Sequence, residues 1–530
     1  MTFLLILLQL FFLLFSLYIG LKFFWLYHAA YWKRRGIASP DGKLFSGNLD
    51  QMFWEKPLRL FQLHKWTEQF GKVYGLLTGW QKMLVVSDPA MVHEVLTTKF
   101  DYFHGRMIST LAGDVDTDPR MHLFNARVSN LKKIMPTMDD SIKVAIELIE
   151  EERQKQPDAP INLHRFFVEM TFDVIARVAM GQRESMQFRS EDAKLSVIAF
   201  QRFQNNWFEY LSSICPWLGT HLIRPFILLT GKIRGDPFRL LLDRIREAVA
   251  QRQRIREARR SLGNTENNEV NDQISRDHET DQQRPVDFID LFLDSVTDQE
   301  NIVFKNQLGV FNKAAVKIDR TNTVEEIGMQ LQLFLLAGFD TTANSLGFVS
   351  YNLACHPTVQ LKAQEEIDTV CLNEDATYEE LNRLKYTDAV IKETLRLLPI
   401  AGIVTTRFCT ETTTLGKELT VDNGTGVAID VYSVHRNKEL WGEDAEEFRP
   451  ERWLDPDRPP ASAHFYGFGG GPRICIGMRL ALLEEKMALV RLLRRYSLVK
   501  TEETERELKY NAQVVLNPGA VMVRLDVREK

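Results

Sequence analysis

The stretch that decides the fold of this chain reads FGGGPRICIG and occupies residues 468–477. Its glycines and its proline predict a tight, irregular loop. The run that follows, residues 476–496, has the composition of a helix. Cys475 therefore stands where a loop ends and a helix begins. Free backbone N–H groups and the positive end of the helix dipole favour a thiolate at such a place, so Cys475 is predicted to act as an anion or as a metal ligand.

The residues around Cys475 decide between two interpretations of that cysteine. A lone intracellular cysteine is most often a buried, unreactive packing residue. Here, however, Phe468, Gly471, Arg473, Cys475 and Gly477 follow one another at fixed offsets, a combination that rarely occurs by chance. The pattern resembles the haem-binding loop of the cytochrome P-450 family.

The resemblance implies a role for each of these residues. The thiolate of Cys475 is expected to be the axial ligand of the iron in haem b, iron protoporphyrin IX, and to push electron density towards O–O cleavage. Phe468 is expected to pack near the sulfur, while Gly471 and Gly477 keep the loop tight. Arg473 is expected to pair with a haem propionate, a charge-assisted contact that suits a guanidinium group.

The composition of the whole chain is that of a globular protein. The chain has 530 residues, of which 45% are hydrophobic and 26% are charged. Its net charge of −5 is small, so the composition gives no sign of a nucleic-acid partner. The five cysteines show neither metal-site nor disulfide spacing and suit a reducing compartment. The four cysteines other than Cys475 are interpreted as packing residues.

Residues 3–27 are almost entirely apolar and predict a membrane-spanning helix. At about 1.5 Å per residue the run is long enough to cross a bilayer. Three basic residues, 33–35, follow directly, and positive residues after the span place the rest of the chain on the cytosolic side. We therefore expect an anchor over 1–28 and a catalytic domain over 29–530. A secreted protein with a cleaved signal peptide is the alternative, which the length of the apolar run disfavours.

A second motif lies inside an apolar helix that is predicted over residues 324–354. It reads GFDTT, residues 338–342, and glycine, aspartate and threonine commonly end a helix. The helical pattern nevertheless continues over 343–353, which favours a helix that passes through the motif. In the resembling family this helix lies over the haem.

The same resemblance assigns roles within this second motif. Ala337 and Gly338 are expected to leave room for oxygen. Asp340 and Thr341 are expected to be catalytic and to deliver protons during oxygen activation, which is a general-acid role. A threonine hydroxyl in a helix can also bond back to the preceding turn.

A third set of residues is expected to support the haem site. Glu393 and Arg396 stand three residues apart in a predicted helix and can pair. The resemblance adds Arg452 to them and implies a structural Glu–Arg–Arg cluster behind the haem. It also implies that Arg407 contacts one haem propionate and that His435 lies near the other.

One element of the resembling family is missing from the sequence. The family carries a Trp-x-x-x-Arg helix whose tryptophan and arginine donate hydrogen bonds to haem propionates. No tryptophan lies between Trp80 and Trp207, and the segments that would flank the helix meet between Arg127 and Val128. We therefore expect a deletion at that junction and weaker retention of the haem.

The motifs together predict a mainly α fold with small β-sheets, preceded by a transmembrane helix. The resemblance implies a haem-thiolate monooxygenase of the animal microsomal type, closest to the drug- and steroid-oxidising branch. Such an enzyme inserts one atom of O2 into a small apolar substrate. Its expected electron donors are NADPH-cytochrome P-450 reductase and, as a further partner, cytochrome b5. The expected location is the endoplasmic reticulum membrane, which the chain spans once in contact with lipid.

Two other functions are compatible with the same motifs. A haem-thiolate isomerase or dehydratase would need no external electrons. The pair Asp340–Thr341 argues against it, because an acid next to an alcohol serves oxygen activation. A catalytically impaired deletion variant that holds haem weakly is the other alternative, and it follows if the missing helix is indispensable.

The predicted topology can be tested on microsomes that contain the full chain. Removal of residues 1–28 should weaken membrane attachment, because the apolar run supplies the membrane-spanning segment. Protease added outside intact microsomes should digest the catalytic domain, and an antibody against the C-terminus should follow its loss. A catalytic domain that is cleaved only after detergent is added would contradict the predicted orientation.

Overall fold

The computed structural model describes residues 2–55, 57–105, 131–204, 207–231, 233–262, 287–294, 324–455, 461–504, 508–510 and 514–529. The expected deletion between Arg127 and Val128 falls outside these described residues.

Helices make up most of the described chain, as the sequence predicts. In chain order they are α1 (Thr2–Ala29), α2 (Tyr31–Arg34), α3 (Leu49–Phe53), α4 (Arg59–Phe70), α5 (Pro89–His93), α6 (Leu131–Lys155), α7 (Leu163–Met180), α8 (Glu191–Gln204), α9 (Trp207–Ile214), α10 (Pro216–Leu218), α11 (Arg224–Thr230), α12 (Pro237–Leu262), α13 (Phe288–Asp294), α14 (Val324–Cys355), α15 (Pro357–Val370), α16 (Tyr378–Arg383), α17 (Lys385–Leu397), α18 (Val431–Val434), α19 (Lys438–Trp441) and α20 (Met478–Arg495).

The described strands are short. They are β1 (Val73–Thr78), β2 (Gln81–Val86), β3 (Ile161–Asn162), β4 (Thr406–Phe408), β5 (Thr413–Leu415), β6 (Leu419–Val421), β7 (Gly426–Ile429), β8 (Tyr496–Val499) and β9 (Met522–Val527). They form a four-stranded sheet in the order β1-β2-β7-β4, a three-stranded sheet in the order β3-β9-β8, and the pair β5-β6. Only β2 and β7 run parallel among these pairs. The small β-sheets predicted from the sequence are thereby confirmed.

Helix α1 is the candidate membrane span. Within the described residues, Phe3–Ala29 is the one helical segment long and apolar enough to cross a membrane, with a mean hydropathy of 2.5. Most of its side chains are exposed, which suits a helix surrounded by lipid.

The C-terminal end of α1 packs on the first hairpin of the protein. Trp25 is buried, and its ring centroid lies 4.9 Å from that of Trp80, in the turn between β1 and β2. Trp32 in α2 donates through its indole nitrogen to the carbonyl of Leu76 at 2.8 Å. The same indole covers Gly75, where an added Cβ would lie 2.2 Å from the ring. The C-terminal end of α1 is therefore joined to the rest of the protein by close packing.

The core is built around α14. This helix is apolar on most of its surface, which is typical of a helix buried inside a large domain. Leu335, Phe339 and Leu346 are almost completely buried in it. Helices α7, α12, α17 and α20 all contact α14. Each site motif predicted from the sequence lies on α14 or on an element close to it.

The predicted elements agree with the structure apart from their ends. Alternating glycines and apolar residues over 72–86 predict a hairpin, and β1 and β2 form it, with Gly79 at a φ of +62° in the turn. The apolar stripe of residues 131–152 predicts a helix, which is α6, three residues longer. The helix expected over 324–354 is α14, and it continues through the GFDTT motif without a break.

Candidate active site

The segment before Cys475 is a tightly folded loop. The Cys475 N–H donates to the carbonyl of Phe468 at 2.8 Å and closes the loop. Gly469 and Gly471 have φ values of +75° and +65°, a region that favours glycine. A Cβ on Gly471 would lie 1.7 Å from the carbonyl oxygen of Leu96. Only glycine therefore allows the two backbones to approach this closely.

Cys475 lies at the surface of the loop, outside the packed core. The residue is exposed, and its neighbour Ile474 is 38% exposed. Helix α20 begins at Met478, with Gly477 as its N-cap residue. The helix start predicted at residue 476 was thus slightly early, because the backbone stays extended at Ile474, with a ψ of 151°. Cys475 precedes the helix N-terminus instead of belonging to its first turn.

One arginine, Arg473, belongs to the loop, and a second, Arg407, lies beside it. Arg407 in β4 is buried and donates through Nη2 to the carbonyl of Gly470 at 3.3 Å. The guanidinium carbon of Arg473 lies 6.0 Å from the ring centroid of Phe100. Burial lowers the pKa of Arg473, but a guanidinium group stays charged in a protein. Two such groups close to the loop provide positive charge for an anionic ligand.

The GFDTT motif presents an open face of α14. The Thr341 hydroxyl donates to the carbonyl of Ala337, one turn earlier, at 2.7 Å. Ala337 is exposed and Thr341 is half-buried. Gly338 lies against α7, where an added Cβ would come 3.2 Å from the side chain of Ile175. Close helix packing is thus a second reason for a glycine at position 338, beside the room for oxygen that the sequence predicts.

Asp340 lies on the buried side of the same helix and is 7% exposed. The side-chain amide of Asn344 donates to its Oδ2 at 2.8 Å. Burial raises the pKa of Asp340 to about 6, while hydrogen bonds from the side chains of Asn344 and Asn517 lower it. A carboxyl group that titrates near pH 6 can take up and release a proton close to neutral pH, as a general acid must.

Glu393, Arg396 and Arg452 meet in the core, and none is more than 6% exposed. Arg396 donates to the Glu393 carboxylate through Nε at 2.8 Å and through Nη2 at 3.0 Å. Arg452 donates to it through Nε at 2.8 Å. The indole N–H of Trp453 and the backbone N–H of Arg449 each donate to it at 3.0 Å. The buried carboxylate is therefore surrounded by donors, which a buried ion pair requires.

His435 connects this cluster to the cysteine loop. Its Nδ1 donates to the carbonyl of Arg396 at 3.0 Å, and its Nε2 accepts from the backbone N–H of Tyr466 at 2.8 Å. Its ring stacks on that of Phe465 at 5.4 Å. Burial and the nearby charge of Arg396 lower the pKa of His435 to about 3, so the ring is neutral. Both ring nitrogens bind backbone groups, so His435 links the Glu393 cluster to Tyr466, and its predicted place near a propionate stays a prediction.

A buried hydrogen bond fixes the helix of the GFDTT motif relative to the helix that follows the cysteine loop. The hydroxyl of Ser345 in α14 donates to Oε2 of Glu485 in α20 at 3.0 Å. Burial raises the pKa of Glu485 to about 8. The helix that carries GFDTT is thus tied directly to the helix that follows Cys475.

Sequence reasoning missed several partners of the predicted residues. Asn344 stands four residues after Asp340, so the helical spacing was a signal that could have found it. Asn517 is far from Asp340 in the chain, and Tyr466 donates to His435 through its backbone N–H. No local sequence pattern predicts either contact.

Known proteins resemble this chain over almost its whole length. The sequence profile of the cytochrome P-450 family matches residues 38–525. Three Caenorhabditis elegans proteins with cytochrome P-450 names are close relatives. CYP13A8 is 34% identical over 96% of this chain and 97% of its own length. The protein cyp-13B1 is 37% identical over 94% and 95%, and CYP13A3 is 37% identical over 97% and 98%.

The matched region contains the Cys475 loop, the GFDTT motif and the Glu393 cluster. Family match, relatives and geometry lead to the same conclusion. The chain belongs to the cytochrome P-450 family.

Proposed function

We propose that this chain is a membrane-anchored haem-thiolate monooxygenase in which Cys475 is the axial ligand of haem b. Members of the family are monooxygenases that use a haem iron, O2 and electrons from a redox partner. One observation carries the proposal for this chain. The exposed thiol of Cys475 stands at the end of a loop that Gly471 fixes against the Leu96 carbonyl.

The residues around this thiol fit a haem group. An added Cβ on Gly477 would lie 3.9 Å from the Cys475 sulfur, so glycine leaves the space beside the sulfur open. Arg407 and Arg473 offer guanidinium groups that suit the two propionates. Cys475 would hold the iron, and the two arginines would hold the propionates. The iron, when bound, supplies the redox chemistry that activates O2.

The GFDTT motif supports a role in proton handling. Insertion of one oxygen atom into a C–H bond consumes O2, two electrons and two protons, and the second oxygen atom leaves as water. The Thr341 hydroxyl lies on the open face of α14 and is held by the Ala337 carbonyl. Asp340 lies next to it on the buried side. We infer that Asp340 takes up protons and that Thr341 holds one at the open face.

The Glu393 cluster is proposed to position the site without taking part in the reaction. Arg396 donates to the carbonyls of His435 and Ala445 at 2.7 and 2.6 Å. His435 in turn fixes Tyr466, two residues before Phe468. The cluster therefore holds the segment just before the cysteine loop through buried hydrogen bonds.

An apolar organic substrate is part of the proposal and rests on the family match. A small apolar cleft is lined by Leu58, Leu60, Ile400, Gly402, Ile403, Val514 and Leu516. Its volume of about 10 Å³ has room for about one water molecule, so this cleft is not the proposed substrate pocket.

The anchor supports a location in the endoplasmic reticulum membrane. Helix α1 is long enough to span it, and basic residues follow on the side of the catalytic domain. With this arrangement the proposed electron donors are NADPH-cytochrome P-450 reductase and cytochrome b5. The proposed substrates are those of the drug- and steroid-oxidising branch of the family.

A second candidate is a catalytically impaired variant that holds haem weakly. The sequence favours it at one place, since no tryptophan stands between Trp80 and Trp207 to supply the family's propionate contact. Loss of a hydrogen bond to a charged group costs on the order of 1.5–3 kcal/mol. Haem affinity would then fall by roughly tenfold to a hundredfold per contact.

Replacement of Cys475 by serine tests the proposed ligand. Cys475→Ser should abolish the thiolate-type spectrum of the reduced, carbon monoxide-bound protein and reduce turnover to background, because a serine hydroxyl is not an anionic sulfur ligand. Cys355→Ser is the matched control and should leave both unchanged. A Cys475→Ser protein with the normal spectrum and normal turnover would rule out the assignment.

The proton-handling residues can be separated from haem binding. Thr341→Ala should keep the haem spectrum but divert electrons to hydrogen peroxide, because no hydroxyl then holds a proton at the open face of α14. Asp340→Asn should slow turnover by about a hundredfold, the lower end of the range expected for a lost general acid. Thr342→Val, which removes the neighbouring hydroxyl, is the control. The roles are wrong if both variants form product and peroxide in the same ratio as the unmodified protein.

Restoring the missing helix distinguishes the proposed monooxygenase from the impaired variant that holds haem weakly. A chain with a Trp-x-x-x-Arg helix restored between Arg127 and Val128 should hold haem more tightly and turn over faster than the natural chain. An insertion of equal length made of glycine and serine controls for the longer connection. Haem content and reduced carbon monoxide spectra are compared at equal expression. Equal values for the natural and restored chains would show that the missing segment is dispensable.

A further inference from the structure

A buried hydrogen-bond network lies behind the GFDTT motif and includes two residues without a role so far. The Asn344 amide nitrogen donates to Oδ2 of Asp340 at 2.8 Å. Nε2 of His164 lies 2.7 Å from Oδ1 of the same amide. The three side chains are between 0 and 7% exposed. His164 belongs to α7, so the network connects α7 to the acid of α14.

The chemistry of the amide explains why the network contains a histidine. An asparagine carries one accepting oxygen and one donating nitrogen on the same planar group. Because Nε2 of His164 lies at the oxygen, an N–H there donates to it and the nitrogen is left to face Asp340. Burial lowers the pKa of His164, while its hydrogen bonds with the Asn344 side-chain oxygen and with the backbone of Gly519 raise it. The neutral His164 ring thus sets the orientation of the Asn344 amide and adds no charge.

Helix α7 fixes the same part of α14 at two further points. The Thr171 hydroxyl donates to the carbonyl of Phe339 at 2.8 Å. Ile175 packs where a side chain at Gly338 would stand. Both contacts lie within two residues of Asp340. The position of the motif is therefore set by α7 on one side, while the face with Ala337 and Thr341 stays open.

We propose that Asn344 and His164 are positioning residues for the proton-delivering carboxyl group of Asp340. His164 fixes the Asn344 amide, and the amide holds the Asp340 carboxyl in one orientation beside Thr341. The inference rests on the proposed role of Asp340 as the acid. It predicts that Asn344 acts on the carboxyl directly and that His164 acts through Asn344.

The first measurement follows the proton of Asp340 without using catalysis. Infrared spectra of the full chain between pH 4 and 8 contain a carboxylic-acid band of Asp340, identified by its absence in Asp340→Asn. In Asn344→Leu its titration midpoint should rise by roughly one to two pH units, since a donated hydrogen bond favours the charged form. Asn344→Ala removes the amide without added bulk and should show the same rise.

The second measurement separates His164 from a purely structural role. His164→Leu removes the donor and should raise the titration midpoint and the share of electrons lost to peroxide. His164→Gln can still donate to the Asn344 oxygen and should restore both towards the natural values. Asn352→Leu is the matched control. It removes another buried amide from α14, one that donates to Thr394 at 3.2 Å, and should change neither quantity.

The outcomes distinguish this inference from the proposed function. If Asp340→Asn leaves coupling unchanged, the acid role of Asp340 fails and this inference fails with it. If Asp340→Asn changes coupling but the titration midpoint in Asn344→Leu and Asn344→Ala equals that of the natural chain, only the positioning role is overturned. A His164→Gln protein that behaves like His164→Leu would overturn the part assigned to His164.

Discussion

The buried carboxylate of Glu393 is the constraint on which the candidate site depends. Burying a charge costs several kcal/mol unless hydrogen bonds surround it, and here two guanidinium groups, an indole and a backbone amide do so. The remaining donors of Arg396 and Arg452 bind backbone carbonyls of the segment that follows α18. That segment carries His435, which binds Tyr466 at the start of the cysteine loop. The position of Cys475 therefore depends on an ion pair that does not touch it.

The part of the site that contains Asp340 and Thr341 is held in place by α7. Asp340 and Thr341 are neighbours in α14, but one is buried among amides and the other lies on an open face. Helix α7 maintains this difference through contacts on both sides of Asp340. The hydrogen bond from Ser345 to Glu485 joins the two halves. Asp340 and Thr341 are thus connected through buried contacts to the helix that follows the Cys475 loop.

Much of this arrangement could be predicted from the sequence, because the decisive signals are local. The glycines before Cys475 indicate a tight loop, and the continued apolar pattern after Thr342 indicates an unbroken helix. The Glu393–Arg396 spacing indicates a pair. Contacts between distant segments were not predictable. The backbone partners of His435 lie in distant segments of the chain. The link from Asn344 to His164 requires α7 and α14 to lie side by side, which no spacing within either helix predicts.

Binding of a haem iron by the Cys475 thiolate can be measured on the unmodified full chain. The chain is expressed with excess haem, reduced and exposed to carbon monoxide, and its absorption spectrum is recorded. We expect the spectrum typical of a thiolate-ligated ferrous haem, with haem bound in proportion to the protein. A spectrum typical of a neutral axial ligand, or the absence of bound haem under these conditions, would contradict this expectation.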